Sequence, residues 1–355
     1  MEYSYVGTYT STKRNGLGYG GIHVFCRNPS DLQWTQIQVY EIENPSYLAF
    51  GKDKNTLYTV RADGNIITAF SVDPKTGMLS YLNEKNIAFN NGVSLVTDQE
   101  SRFLFVASAS IEPGAFVSIR LEKDGSLGEL CGVTIFQGET GPLRPAQLCS
   151  QPHQVCYDSQ GKFLIEPDRG LDEINTIEVD YETGSMKKVH SLKLPASCCP
   201  RHVSFHPSKN YAYILTEWIG RIVVCHYENG IFTPIEIIDT TPSSFLGLKN
   251  LAAEIQIHPS GKYVYASNRG HDSIAAFRIK KDGRLESIGW YTEGVSKPRY
   301  FTLSEDGCAL FCANESGHTV TCYSISEQTG ELSFRGVIMD VHAPACILFK
   351  ETVAK

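Results

Sequence analysis

A unit of two apolar strands joined by a polar turn recurs six times in this chain, and this repetition limits the possible folds more than any other feature. The clearest copies are Pro45–Arg61, Pro200–Glu217 and Ala253–Arg269. The units open near Pro45, Gly92, Pro152, Pro200, Ala253 and Pro298, at intervals of 45 to 60 residues. Because a β-propeller blade needs about 40 to 50 residues, this period predicts a propeller.

Each unit extends to four short strands. In the fifth unit, apolar and polar residues alternate through the segments 254–258, 263–267, 273–279 and 284–288. A period of two is typical of half-buried strands. The turn before the fourth strand recurs with a glycine at Gly77, Gly125, Gly184, Gly283 and Gly330. The pattern indicates four-stranded antiparallel meanders, and no long amphipathic helix pattern competes with it.

The two ends of the chain complete a seventh unit. The C-terminal segment Ala343–Phe349 has the pattern of a first strand. The N-terminal segments have the patterns of strands two to four: Tyr3–Thr8, Gly21–Cys26 and Trp34–Tyr40. Pairing the termini would close the ring and leave no long open edge. We therefore predict an all-β, seven-bladed β-propeller formed by residues 1–355 as one domain, with loops on its rim at Gly138–Ser150 and Thr240–Asn250.

The composition argues against several classes of function. The formal net charge is −7 and there is no basic run, which disfavours a nucleic-acid partner. The first residues lack the pattern of a signal peptide, and no segment reaches the ~20 apolar residues of a membrane helix. We therefore expect a cytoplasmic protein that does not bind membranes. The eleven cysteines are odd in number and lack zinc-finger spacing, which predicts free thiols and no metal on them.

Charged residues recur at two matching positions of the units. Strands one and two run antiparallel, so the start of the first and the end of the second share one face, at the mouth of the central channel. The residues at the starts are Ser46, Ser94, His153, Arg201, Glu254 and Arg299. Those at the ends are Arg61, Ser108, Asp168, Glu217, Arg269 and Glu315, and the N-terminal unit adds Thr8 and Tyr9.

So many charges around one mouth are unfavourable unless they pair with each other or meet a ligand. One interpretation is a set of salt bridges between blades that holds the ring together. The other is a polar pocket for a small anionic ligand. We favour the pocket, because the charged residues concentrate at the channel positions while the outer strands alternate in the ordinary way.

Other candidate motifs have no support. His206 and His258 fall in the turn after strand one, on the face opposite the mouth. The glycine-rich segment Gly16–Gly21 is not followed by a helix and is interpreted as a lid or a loop between strands. The sequence contains neither the nucleophile elbow of serine hydrolases nor the zinc-binding motif of zincins.

Several segments together resemble a known family. They are Tyr5–Tyr9, Pro152–Val155, Pro200–Pro207, Glu217, Ala252–Pro259 and Ser267–Arg269. Their combination is similar to the lactonase family of seven-bladed β-propellers, which includes the propeller-type 6-phosphogluconolactonase of bacteria and the fungal carboxy-cis,cis-muconate cyclase. The resemblance extends over essentially the whole chain.

The resemblance implies a catalytic set of one histidine, two arginines and one glutamate, which are here His153, Arg201, Glu217 and Arg269. The remaining charged mouth residues are expected to bind the substrate: Asp168, Glu254, Arg61, Arg299 and Glu315. The chain departs from the family pattern just after Asp168. Arg169 is unusual at a place where relatives usually have a Val-Pro-Asp-Leu-Gly-like segment.

Hydrolysis of a lactone needs a base that activates water and positive charge at the carbonyl oxygen. Glu217 or His153 is the expected base. Glu217 is slightly favoured on the expectation that burial and nearby carboxylates raise its pKa, although neighbouring arginines act in the opposite direction. Arg201 and Arg269 would stabilise the oxyanion, and one of them would bind the carboxylate or phosphate of a small anionic substrate. No metal and no cofactor is required.

Two other functions stay open. A muconate-type cycloisomerase would use the same arginines to hold the carboxylates of its substrate during ring closure. A non-catalytic scaffold would bind protein partners on its broad face. A six-bladed, metal-dependent sugar lactonase is disfavoured by the count of seven units and by arginines that repel a divalent cation. The sequence does not determine the natural substrate, whether it is phosphorylated, or the oligomeric state.

Overall fold

A computed structural model of the chain describes residues 1–28, 31, 33–245 and 249–351. These residues form 28 β-strands and a single-turn 3-10 helix, Thr12–Arg14, between the first two strands. In chain order the strands, β1 to β28, are Glu2–Thr8, Gly21–Arg27, Thr35–Glu41, Pro45–Phe50, Thr56–Arg61, Ile66–Val72, Leu79–Asn86, Gly92–Thr97, Phe103–Ser108, Ala115–Leu121, Leu127–Thr134, Cys156–Tyr157, Leu164–Asp168, Glu173–Val179, Met186–Lys193, Pro200–Phe205, Tyr211–Thr216, Arg221–Glu228, Ile231–Asp239, Leu251–Ile257, Tyr263–Arg269, Ser273–Ile279, Leu285–Tyr291, Pro298–Leu303, Ala309–Asn314, Thr319–Ile325, Leu332–Asp340 and Pro344–Glu351.

The strands assemble into seven four-stranded antiparallel sheets, the blades. Blades 1 to 6 follow the chain from β4 to β27 as successive meanders, and blade 7 consists of β28, β1, β2 and β3. In blade 7, β28 pairs with β1 from Glu2 opposite Glu351 to Thr8 opposite Pro344. The seven-bladed propeller and the pairing of its termini are thus confirmed, with the strands of blade 7 within two residues of their predicted ends.

The hydrophobic cores lie between neighbouring blades. Leu215 of β17, in blade 4, packs in one cluster with Val264 and Ala266 of β21, in blade 5. The adjacent residue Ile214 points to the other face of the same strand and belongs to the cluster between blades 3 and 4. Because side chains alternate along a strand, each inner strand fills the gaps on both of its sides. Stacking the blades therefore buries apolar faces that a single blade would leave in water.

The recurring glycine before the fourth strand joins neighbouring blades. Gly77 has a φ of +69°, and a Cβ atom on it would overlap the ring of Tyr3 in blade 7. Its carbonyl oxygen accepts a hydrogen bond of 2.7 Å from the Tyr5 hydroxyl. Equivalent bonds run to the turns of blades 2, 5 and 6: Tyr58 to Gly125, Tyr213 to Gly283 and Tyr265 to Gly330. The turn pattern in the sequence thus marks contacts between blades as well as hairpins.

Blade 3 departs from the other blades at its inner edge. Its first strand, β12, is only two residues long, and a separate bridge pairs Pro152 with Asp168. The preceding segment Gly138–Ser150 contains no strand, as predicted for a loop. The second predicted loop, Thr240–Asn250, also lacks strands where it is described, but residues 246–248 lie outside the described part of the chain.

Two further expectations concern cysteines and membranes. All eleven cysteines are free thiols, as the sequence predicts. In the part of the chain that the structure describes, no helix has both the length and the hydrophobicity needed to cross a bilayer.

Candidate active site at the channel mouth

A β-bulge opens the first strand of most blades. In β4, β16 and β24 the register shifts around the second residue, so that Ser46, Arg201 and Arg299 have no partner on the next strand. In β20 the same shift lies between Ala252 and Ile255 and therefore contains Glu254. A bulge adds one residue and re-aims its side chain. Because the first strands pack against one another around the axis, the bulges turn charged side chains toward the channel mouth.

A cavity of about 250 Å³ lies at this mouth. The ionisable side chains in its wall are Arg14, His153, Arg169, Glu217, Arg269 and Arg299. Arg201 lines a smaller cavity of about 20 Å³ that shares Arg299 with the first. Three of the four predicted catalytic residues thus share one cavity, and the fourth lies in the wall of the adjoining one.

Glu217 connects arginines from the two neighbouring blades. It follows β17 directly and is 6% exposed. Its Oε1 accepts a hydrogen bond of 2.6 Å from Nη2 of Arg269, in blade 5. Its Oε2 lies 3.4 Å from Nε of Arg169, in blade 3. Salt bridges between blades therefore exist, as the first of the two interpretations expected, but they surround a cavity and do not seal it.

These arginines determine the ionisation of Glu217. Burial by itself raises the pKa of this carboxyl, but the charges of Arg169, Arg269 and Arg201 outweigh burial and hold the pKa well below its usual value. The expectation of a raised pKa is therefore wrong, because the nearest charged groups are guanidinium groups and not carboxylates. Glu217 is ionised at neutral pH and is a weak base.

His153 is the other candidate base. Its backbone N–H donates a hydrogen bond of 2.9 Å to the carbonyl oxygen of Pro167, which fixes it beside β13. The residue is 4% exposed, and Nδ1 of its ring has no hydrogen-bond partner among the described residues. Burial, followed by the charges of Arg201 and Arg169, lowers the pKa of His153 well below its usual value. The ring is therefore neutral at pH 7 and keeps a lone pair that can accept a proton.

Arg201 is held by a chain of buried groups. Its Nη1 donates to the carbonyl oxygen of Ala253 and lies 3.1 Å from Nε2 of His202. Nδ1 of His202 lies 3.0 Å from Oε1 of Glu254. Burial lowers the pKa of His202, so we assign a neutral ring that donates from Nδ1 to Glu254 and accepts from Arg201 at Nε2. Glu254 thereby orients Arg201 through His202, in the way that carboxylates orient metal-binding histidines.

Arg299 and Glu315 also lie at the mouth. The guanidinium carbon of Arg299 lies 5.0 Å from the centre of the Tyr9 ring. Its Nη1 is 3.9 Å from Oε2 of Glu315. Oε1 of Glu315 accepts a shorter hydrogen bond, 2.6 Å, from Nζ of Lys297. Glu315 therefore interacts more strongly with Lys297 than with Arg299, and it compensates the positive charge of Arg299 only in part.

The structure does not bring Arg61 to this group. Its Nη2 donates to Oγ1 of Thr68 at 2.9 Å and to Oε2 of Glu84 at 2.8 Å, on the third and fourth strands of its own blade. A long side chain at the end of strand two can reach outward across the blade as well as inward to the channel. In blade 1 the carboxylate lies on the outer side.

Asp168 is also withdrawn from the cavity. Its Oδ1 accepts backbone N–H groups from Gln151, Gly170 and Leu171, and its Oδ2 accepts the hydroxyl of Ser150. Burial raises the pKa of this carboxyl, and these hydrogen bonds oppose the shift. Both oxygens are thus used to shape the loop around Arg169.

Three charged or polar residues at the mouth were not predicted as site residues from the sequence. Arg14 lies in the 3-10 helix at the start of the loop that contains Gly16–Gly21. Because this loop follows β1 on the mouth side, its position could have indicated Arg14 as a site residue. Arg169 and His202 each follow a predicted residue by one position. Most of the charged side chains in the cavity wall are arginines. Among the described residues, no group of three or more His, Cys, Asp or Glu side chains is placed to hold a metal ion.

Comparison with known proteins gives a consistent result. The sequence profile of the family described as "Lactonase, 7-bladed beta-propeller" matches residues 3–349. A 6-phosphogluconolactonase of Bacillus subtilis (strain 168) is 26% identical over 355 residues, covering 98% of each chain. An uncharacterized protein of Lactococcus lactis subsp. cremoris is 32% identical over 320 residues, covering 88% of this chain and 89% of its own length.

Solved structures have the same architecture. A putative 6-phosphogluconolactonase from Bacteroides fragilis superposes with a TM-score of 0.88 at 25% identity, covering 99% of this chain and 98% of that one. A second putative 6-phosphogluconolactonase, from Bacteroides uniformis, gives a TM-score of 0.87 at 27% identity, covering 98% and 99%. The periplasmic gluconolactonase PpgL of Pseudomonas aeruginosa, at 24% identity and a TM-score of 0.89 over 99% and 100% of the chains, shows the shared fold.

Proposed function

The chain belongs to the lactonase family of seven-bladed β-propellers, and from this premise we propose that it hydrolyses a small anionic sugar lactone in the mouth cavity. The relatives named 6-phosphogluconolactonase support a substrate of this class. The cytoplasmic location expected from the sequence stays a prediction.

One observation carries the proposal: a cationic cavity in an acidic protein. The chain has a formal net charge of −7, yet four arginines and one glutamate make up the charged wall of the cavity. Positive charge concentrated in a concave site attracts anions and raises their local concentration. At about 250 Å³ the cavity lies just below the range of about 300–1,000 Å³ that is typical of pockets for drug-sized ligands, which suits a smaller metabolite.

His153 is the base in the proposed reaction. Its neutral ring takes a proton from water while the water oxygen attacks the lactone carbonyl carbon. The carbonyl oxygen becomes an oxyanion, which Arg201 and Arg269 stabilise. When the intermediate collapses, the bond between the carbonyl carbon and the ring oxygen breaks. The imidazolium of His153 returns its proton to the departing ring oxygen, which leaves an open-chain acid.

Glu217 and Glu254 act as positioning residues in this scheme. Glu217 holds Arg269 through the 2.6 Å hydrogen bond, and Glu254 holds Arg201 through His202. Both arginines are then preorganised for the charge that develops on the substrate, without rearrangement during the reaction. Since the arginines supply the positive charge that stabilises the oxyanion, the proposed mechanism needs no metal and no cofactor.

The test is a panel of substrates assayed side by side. We expect turnover of 6-phosphogluconolactone, an anionic lactone, measured by acid release, with the neutral gluconolactone as the comparison substrate. We expect Arg269→Ala to reduce turnover by about two to three orders of magnitude, the scale of losing one oxyanion donor. Near-normal turnover by a folded Arg269→Ala protein would contradict the mechanism. Loss of 3-carboxymuconate without lactone hydrolysis would instead establish the cycloisomerase.

A further inference from the structure

The cavity holds more positive charge than its own carboxylates neutralise. Of the four arginines in its wall, Arg14 is matched by Asp63 through hydrogen bonds of 2.9 and 2.6 Å. Arg269 is matched by Glu217 at 2.6 Å. The two remaining arginines have no carboxylate of their own.

Arg169 faces a carboxylate that is already in use. Its Nε lies 3.4 Å from Oε2 of Glu217, which is an ion pair but not a hydrogen bond. The same carboxylate is bound more closely by Arg269. Nε of Arg169 is buried and has no hydrogen-bond partner among the described residues. A buried N–H without an acceptor is unfavourable, and a ligand oxygen would remove that penalty.

Arg299 is in a similar position on the wall formed by blade 6. Its nearest carboxylate, Glu315, is 3.9 Å away and is already bound by Lys297 at 2.6 Å. Its guanidinium carbon lies over the ring of Tyr9, 5.0 Å from the ring centre. This cation–π contact uses none of the N–H donors, and the side chain of Arg299 forms no hydrogen bond among the described residues, which leaves its donors available to an anion.

We propose that Arg169 and Arg299 form an anion subsite that binds a phosphate group on the substrate, while Arg201 and Arg269 act on the reacting carbonyl. The inference rests on the proposed function. A phosphate monoester carries about −1.5 to −2 charges at pH 7, which matches two guanidinium groups that each share a carboxylate with another cation. A single carboxylate would leave one of them unmatched. Phosphate oxygens also suit the forked donors of arginine.

Binding of phosphate here would also strengthen the base. The groups that lower the pKa of His153 are, besides burial, Arg201, Arg169, His202 and Arg299. An anion held by two of these arginines offsets their charges and moves the pKa of His153 back toward neutral. A phosphorylated substrate therefore gains in turnover as well as in affinity.

Titration with inorganic phosphate tests the subsite without relying on turnover. We expect calorimetry to show binding by the wild-type protein, weakened about 10- to 100-fold in Arg169→Ala and in Arg299→Ala, the scale of one hydrogen bond to a charged group. Arg61→Ala is the matched control. It removes an arginine from the end of a second strand, but one that is bound to Glu84 outside the cavity. Its phosphate affinity should equal that of the wild type.

The kinetic test is the ratio of kcat/KM for 6-phosphogluconolactone to kcat/KM for gluconolactone. Arg169→Ala should lower this ratio at least about 10-fold. A purely structural role for Arg169, through Glu217, would reduce both values together and leave the ratio unchanged. Circular dichroism would show that the variants are folded.

The outcomes separate the two proposals. Lactone hydrolysis with an unchanged ratio and unchanged phosphate binding in both variants overturns the subsite and leaves the proposed function standing. If neither lactone is hydrolysed, the proposed function fails, and the phosphate titration alone decides the subsite. Binding that depends on Arg169 and Arg299 then supports it, and binding that does not depend on them overturns it.

Discussion

Replacing Glu217 by Gln tests the electrostatic account of the mouth most directly. The substitution keeps the shape of the side chain but removes the negative charge that Arg269 and Arg169 share, at 2.6 and 3.4 Å. The site is buried, since Glu217 is 6% exposed. Both guanidinium groups would then lose the negative charge that they share.

Breaking a buried ion pair by neutralising one partner lowers the free energy of unfolding by about 3–5 kcal/mol. We expect a loss near the lower end, about 3 kcal/mol, because Arg169 borders the cavity and its side chain keeps 20% of its surface exposed, although its Nε is buried. The proposed mechanism also predicts a lower kcat, because Arg269 loses the partner that orients it.

The effect should depend on pH with a definite sign. The pKa of Glu217 is lowered in the folded protein, so its contribution to stability is complete above the unfolded value of about 4.3. That contribution is lost as the pH falls from this value toward the lowered pKa of the folded state. The difference in unfolding free energy between wild type and Glu217→Gln should therefore be largest at pH 7 and shrink below about pH 4.

Urea unfolding at pH 7 and at pH 3.5, with refolding checked, measures both quantities. The control is Glu84→Gln, which breaks the Arg61–Glu84 pair of similar length, 2.8 Å, where Glu84 has a side-chain exposure of 45%. An exposed pair of this kind contributes about 0–1 kcal/mol. Equal effects of the two substitutions at pH 7, or a difference that does not change with pH, would show that Glu217 does not stabilise the fold through its charge.

Three further expectations can be checked independently. As the pH is lowered, the kcat/KM of the wild type should stay level to below pH 6.5, since the pKa of His153 is lowered. His153→Asn should reduce kcat by about two to four orders of magnitude. A pH–rate profile that already falls above pH 7 as the pH is lowered would exclude His153 as the base. Gly77→Ala should destabilise the protein by about 1–3 kcal/mol more than Gly18→Ala. Both glycines have positive φ, but only a methyl group at position 77 would overlap the ring of Tyr3. Equal melting temperatures of the two variants would show that the close contact between Gly77 and Tyr3 is unimportant. Prolonged treatment with a chelator should leave lactone hydrolysis unchanged, and recovery of a lost activity by an added divalent cation would disprove the metal-free mechanism.

The fold could be predicted because its determinants are local and repeated. Alternation with a period of two identifies strands, the recurring turn glycines separate the last two strands of a blade, and the interval between units identifies the propeller. The composition of blade 7 followed from the same pattern, since a first strand at the C-terminal end of the chain and strands two to four at the N-terminal end make one complete unit. Antiparallel pairing then placed the starts of first strands and the ends of second strands on one face.

The identity of the mouth residues could be predicted only in part. Arg61 and Arg269 occupy equivalent positions at the ends of second strands, yet one reaches outward to Glu84 and the other inward to Glu217. The alternation of residues does not distinguish these directions, because the choice depends on where a carboxylate lies in space. The bulges at the start of the inner strands are equally invisible in the pattern, although they aim Arg201 and Arg299.

The number of blades, the closure of the ring and the face that holds the site could all be read from the amino-acid sequence, because each of these follows from spacing along the chain. The ionisation of Glu217 depends instead on how the blades pack in the folded protein. Its pKa depends on Arg169 and Arg269, which lie 48 and 52 residues away in the chain and meet it across two interfaces between blades. Coulomb interactions act through space, so their sign and strength follow from the packing of blades and not from the order of residues.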